Sequence, residues 1–166
     1  MIKLKPLSAD SVPNALKRAE HYRLLNQPRQ AESICRDILL VEPTNKQALV
    51  NLILSITDQF GTNISSSDSE ARELCGKLDD DYQEQYYLGL IEERLGRAAL
   101  KKSIPRAKYI AYEFYHNAME YYEKAEKIHP PGNEDSILRW NACARTIQEF
   151  KIEPSPSDDG VPHLLE

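Results

Sequence analysis

Glycine is scarce, at six of 166 residues, and β-branched runs are few. Strand-rich folds with many tight turns therefore have little support, and repeated spacings of three and four point to an all-helical chain. Cysteine is as sparse. Cys35, Cys75 and Cys143 are an odd number, far apart and without a CxxC pair. That argues against a disulfide framework or a thiolate zinc site, and a reducing cytoplasm is expected. The longest apolar runs, such as Leu52-Ile53-Leu54, fall far short of the roughly 20 residues that span a membrane. MIKLKPLSADSVP at the start lacks a signal-peptide core. A net charge of −5 argues against a binder of polyanions over the whole surface.

Chemistry is also missing. There is no P-loop, no GxGxxG and no GxSxG. His21, His116, His129 and His163 are not paired at metal-ligand spacing. Glu113 and His116 form one ExxH, whereas a di-iron bundle needs two and further glutamates. Asp79-Asp80-Asp81 reads as a helix start, where acidic side chains suit the positive end of the dipole. The expectation is a non-enzyme with no cofactor and no metal.

What is present is a succession of helix signals. A first helix should start near Asp10 or Ser11 with Pro13 in its first turn, and a second at Pro28. The second carries Ala31, Cys35, Ile38 and Leu39 and must stop before Pro43, because proline cannot continue it. Thr44 or Asn45 can cap a third helix with the stripe Leu49, Leu52, Ile53 and Ile56, ending near Gly61. After a polar loop at 62–66, Ser67 with Glu70 reads as a capping box for a fourth helix bearing Ala71, Leu74, Cys75 and Leu78.

The layout repeats. Ala31, Cys35, Ile38 and Pro43 are spaced four, three and five, and so are Ala118, Tyr122, Ala125 and Pro130. Helices before them pair small residues with large: Ala19 with Tyr22, and Leu88-Gly89 with Gly96. At these residues the chain resembles the tetratricopeptide repeat, a helix–turn–helix unit of roughly 34 residues. The resemblance implies a right-handed α-solenoid of antiparallel helix pairs over 8–151. Its hairpins would lie at roughly 11–43, 44–79 and 81–130, with a capping helix at 133–151 and a flexible tail at 152–166. Gly96 and Ala118 are separated by 21 residues, where the family usually has about four.

That insertion predicts a lengthened third hairpin. Leu88, Ile91, Leu95 and Ala98 run straight past Gly96. Ala107, Ala111, Phe114, Ala118, Tyr121, Ala125 and Ile128 then form a seam like that of a coiled coil, on a helix of about 24 residues between Pro105 and Pro130. Two features sit on it. Arg94, Arg97, Lys101, Lys102, Arg106 and Lys108 carry six positive charges with no acid among them, either a solvated hairpin tip or a surface for an acidic partner. Nucleic acid is not expected, since no reader motif accompanies the charges. Tyr109, Tyr112, Tyr115, Met119 and Tyr122 form an aromatic stripe, which either packs against neighbouring helices or meets a partner.

In repeat arrays the first helix of each pair lines a concave face. The resemblance implies that Leu16, Glu20, Arg23 and Leu24 lie there, followed by Val50, Leu54, Thr57 and Asp58, then Tyr86, Leu90 and Arg94. Such a lining suits an extended or helical peptide. The family's carboxylate clamp uses Lys, Asn and Arg, but the corresponding positions here offer Leu16 and Glu20. The final helix carries Ile137, Trp140, Ala144 and Ile147. If Trp140 faces outward, self-association follows. The expectation is a protein-interaction or adaptor module, with a homodimeric assembly as the alternative, and a weaker binder of acidic ligands through 94–108 as a third.

Overall fold

Proline and a few side-chain caps decide where each helix begins. In the computed structural model, which describes residues 2–62 and 68–156, a 3-10 turn at Ala9–Ser11 leads into α1, Val12–Leu24, with proline in its first turn. Helix α2, Pro28–Val41, opens on its proline. Asn45 caps α3, Lys46–Asp58, its side-chain oxygen accepting from the Ala48 N–H at 2.9 Å. Helix α4 is Asp68–Cys75. Asp80 caps α5, Asp81–Leu100, by accepting from the Gln83 N–H at 2.8 Å. Helices α6, Ala107–Glu126, and α7, Asp135–Phe150, complete an all-α chain with no strand among the described residues. The expected cap at Ser67 and most of the loop at 62–66 lie outside the described residues.

Each helix packs against its neighbour in the chain, and α1 also touches α3, as α3 touches α5. The larger core joins α1 to α5 through Ala19, Ala31, Cys35, Ile53, Ala71 and Ile91. A smaller one, with Val12, Leu16, Ile38 and Ala48, closes the N-terminal end. Gly61 shows why that position excludes a side chain: its φ is +79°, and a Cβ there would stand 3.1 Å from the Ala98 methyl.

The long hairpin of α5 and α6 is held by holes and knobs in register. Gly89 and Gly96 are seven residues apart on α5, and Tyr122 and Tyr115 are seven apart on α6. A Cβ on Gly89 would lie 2.8 Å from the Tyr122 ring, and one on Gly96 would lie 2.9 Å from the Tyr115 ring. The rings occupy the space that missing side chains leave. Tyr122 is fully enclosed, and its hydroxyl donates to Glu93 at 2.7 Å, which satisfies the one polar atom. Glu93 in turn accepts from Arg139 of α7 at 2.9 Å.

This arrangement corrects the expected seam. Ala111, Ala118 and Ala125 face the core as predicted, but their large partners are Tyr115 and Tyr122, while Ile128 is exposed. Of the two alternatives for the aromatic stripe, Tyr115 and Tyr122 thus take the packing one and are not available to a partner. Helix α6 spans 20 residues rather than about 24, because a turn at Lys127 and Ile128 ends it before Pro130. The tail also starts later than expected. Ile152 is 4% exposed and packs with Cys143 and Ala111, after Lys151 reverses the chain at φ 49°. The rest of the expected tail, from 157 on, lies outside the described residues.

Gly89→Ala and Gly96→Ala should each destabilise the chain by about 1 kcal/mol, since overpacking of about 1–3 kcal/mol outweighs alanine's better helix propensity. Gly76→Ala, whose Cβ would find its nearest neighbour at an ordinary 3.5 Å, should stay within about 0.5 kcal/mol. Urea denaturation of the three variants measures both.

Burial pushes the thiols of Cys35 and Cys75 up from 9.0 to about 12, and that of Cys143 further in the same direction. The Tyr115 hydroxyl likewise rises from 10.0 to about 12 by burial. The folded chain thus retains protons that the unfolded chain releases above about pH 9, so stability should fall as pH climbs from 9 toward 12. Urea midpoints measured at rising pH should decline over that window. A thiol reagent at pH 8 should modify no cysteine in the folded chain and all three in guanidinium.

Candidate functional site

Three helices contribute charged side chains to one point. Asp58, at the end of α3, places its Oδ2 2.9 Å from the Arg23 guanidinium of α1 and its Oδ1 2.7 Å from Arg94 of α5. The Arg94 Nη1 also donates to the Leu54 carbonyl at 2.9 Å and to the Thr57 hydroxyl. Thr57 in turn donates to the Ile53 carbonyl at 2.8 Å, which leaves its lone pair aimed at the guanidinium.

Arg94 is the most enclosed of the cations, with 11% of its side chain exposed. Burial holds its pKa below the ordinary guanidinium value; Asp58 works against that shift, while Arg23, Arg97 and Arg139 add to it. A cation crowded by cations and partly stripped of water needs anionic neighbours. Among the described residues Asp58 is the acid that meets it.

Beside the cluster opens a polar cleft of about 300 Å³, lined by Arg23, Asn26, Asp58, Phe60, Arg94, Arg97 and Lys101, among others. Four cations face one carboxylate. Asp58 already carries Arg23 and Arg94, whereas Arg97 and Lys101 are exposed and form no ion pair among the described residues. Leu24 and Leu25, between two lining residues in sequence, are 87% and 52% exposed. The cleft can accept an anion.

The structure brings together Arg23, Thr57, Asp58, Arg94, Arg97 and Lys101 of the expected surface, and removes others. Leu16, at 8% exposed, belongs to the N-terminal core. Leu90 and Tyr115, at 4% and 3%, are core residues as well, so none of the three can meet a partner. Val50 is half-buried against the main core. Leu54 is half-buried and serves through its carbonyl. Tyr86 is half-buried, its ring 5.8 Å from that of Tyr122, and burial pushes its hydroxyl up to about 12. Glu20 is exposed and accepts from Gln47 at 2.7 Å.

Lys102 and Arg106 are exposed on the connection between α5 and α6. Tyr109 and Tyr112 are half-buried, and Tyr112 stacks on His116 with centroids 5.9 Å apart. Trp140 is half-buried. It packs on the core shared by α6 and α7, and its indole N–H donates to Glu123 at 3.1 Å. Sequence reasoning missed Asn26 and Phe60. A signal existed for the first: asparagine tolerates the left-handed region that it occupies at φ 55°, which ends α1 beside the cleft.

No protein-family model matches the chain, and no curated protein or solved structure matches it. Among the described residues, no helix is long and apolar enough to cross a membrane, and no group of three or more His, Cys, Asp or Glu is placed to hold a metal ion.

Arg97→Glu with Lys101→Glu should lower stability by less than about 1.5 kcal/mol, because neither side chain has an ion-pair partner and the loss is confined to the dipole at the end of α5. Urea denaturation checks this. A loss well beyond that value would show that both cations carry structural load.

Proposed function

We propose that this chain is a non-catalytic adaptor that docks a protein or peptide partner on the face where α1, α3 and α5 meet. The observation that carries the reading is the cleft itself. Side chains from three helices far apart in sequence converge on it, and they are fixed by ion pairs and hydrogen bonds before any ligand arrives. The fixed groups, Arg23, Asp58 and Arg94, set the shape of the cleft, so that the side-chain freedom lost on binding is confined to Arg97 and Lys101.

In this reading the helix pairs stack as an α-solenoid of the tetratricopeptide kind, with α7 as the cap. Contacts between α1 and α3 and between α3 and α5 support it, because first helices of successive pairs touch in such arrays. Cytoplasmic placement belongs to the same proposal and accords with three buried thiols that remain free. A homodimer built on the aromatic stripe or Trp140 is less favoured, because Tyr115, Tyr122 and Trp140 already pack within the chain.

Tagged full-length chain and its Arg97→Glu/Lys101→Glu variant, used side by side to capture proteins from the native lysate, test the proposal. A partner held by the first and lost from the second is the expected result. Identical recovery from both would move the docking surface elsewhere, and recovery of nothing by either would remove the adaptor reading.

A further inference from the structure

Building on the adaptor reading, we infer that the partner presents an acidic segment to this chain. One of its side-chain carboxylates enters the cleft between Arg97 and Lys101, and further carboxylates follow the basic strip toward Arg106.

The chain carries −5 overall, yet the residues from 94 to 112 contain no acid. Within that stretch Arg97, Lys101, Lys102, Arg106 and Lys108 are all exposed, and none forms an ion pair among the described residues. Arg94, by contrast, is turned inward onto Asp58. The stretch thus divides into one anchored cation and five free ones. Like charges gathered without counter-ions repel one another, and a ligand that neutralises them removes that repulsion.

Size and extent then select the ligand. A volume of about 300 Å³ admits a slender side-chain carboxylate, whereas a nucleic-acid duplex cannot enter. A lone phosphate would occupy the cleft but leave Lys102, Arg106 and Lys108 unused on the connection and the first turn of α6. Single-stranded nucleic acid needs exposed rings for its bases, and Phe60 and Tyr109 near the strip are both half-buried. A run of Asp and Glu in extended conformation, with side chains alternating in direction, matches both the opening and the strip beyond it. Asp58 acts as a positioning residue here: by holding Arg23 and Arg94 it keeps the cleft open and leaves Arg97 and Lys101 for the ligand.

The test uses the full-length chain and a labelled, C-terminally amidated peptide of alternating Asp and Ser, followed by fluorescence anisotropy. Binding should weaken by about tenfold or more in Arg97→Glu/Lys101→Glu. It should change by less than about twofold in Arg18→Glu/Arg145→Glu, two exposed arginines outside the strip. Affinity should also fall as salt rises. Equal loss in both variants, or no binding by the starting chain, would overturn the inference. So would binding confined to the peptide with a free C-terminus, or tighter binding of inorganic phosphate or of a single-stranded oligonucleotide. If the lysate partner is captured through Arg97 and Lys101 but the acidic peptide fails, the acidic segment falls and the adaptor reading stands. If neither is captured, both fall.

Discussion

One carboxylate organises the charged face. Asp58 stands between two guanidiniums, Arg23 and Arg94, that are 35 and 36 residues away along the chain. Partly buried ion pairs seldom add much net stability, because removing charge from water offsets the attraction. Their effect is positional. With Asp58 present, α1, α3 and α5 share one set of directions at this end. Without it, a guanidinium that is 11% exposed would be left facing other cations. The fold thus depends on apolar packing for its free energy and on Asp58 for the arrangement of its polar face.

The second constraint is the pairing of glycines with tyrosines between α5 and α6. It lets two helices of 20 residues lie close together, where α3 has 13. The additional residues on α5 amount to about two turns, or roughly 10 Å. Arg97 sits in those turns and Lys101 directly follows them, so their place beside the ends of α1 and α3 follows from the length of the hairpin. Fold and site are joined here: the rings that fill the glycine hollows also set how far the basic strip extends.

Much of the architecture was legible in the sequence, because it is written in local signals. Pro28, Pro43, Asn45 and Asp80 act within one turn of their own positions, and the helix boundaries followed from them. The long hairpin was legible from periodicity that ran straight past Gly96. The face of each residue was harder. Tyrosine is amphipathic, so Tyr115 and Tyr122 read equally well as contact surface or as core. What decides between them is Gly89 and Gly96, an identical spacing on the opposite helix. Leu16 and Leu90 were misplaced for a similar reason: they lie on inward flanks whose burial depends on how adjacent helices tilt. The repeat register already put Arg23, Asp58 and Arg94 on one expected face, but the pairing of Asp58 with both arginines was not legible, since it depends on helix spacing that no local pattern encodes.

The most direct measurement is a double-mutant cycle on Asp58 and Arg94, with urea unfolding of the starting chain, Asp58→Ala, Arg94→Met and the double variant. A real hub predicts a coupling of about 1–3 kcal/mol, with Asp58→Ala more damaging alone than together with Arg94→Met. Additive losses, with coupling under about 0.5 kcal/mol, would mean that Asp58 behaves as an ordinary surface acid and that something else arranges the face.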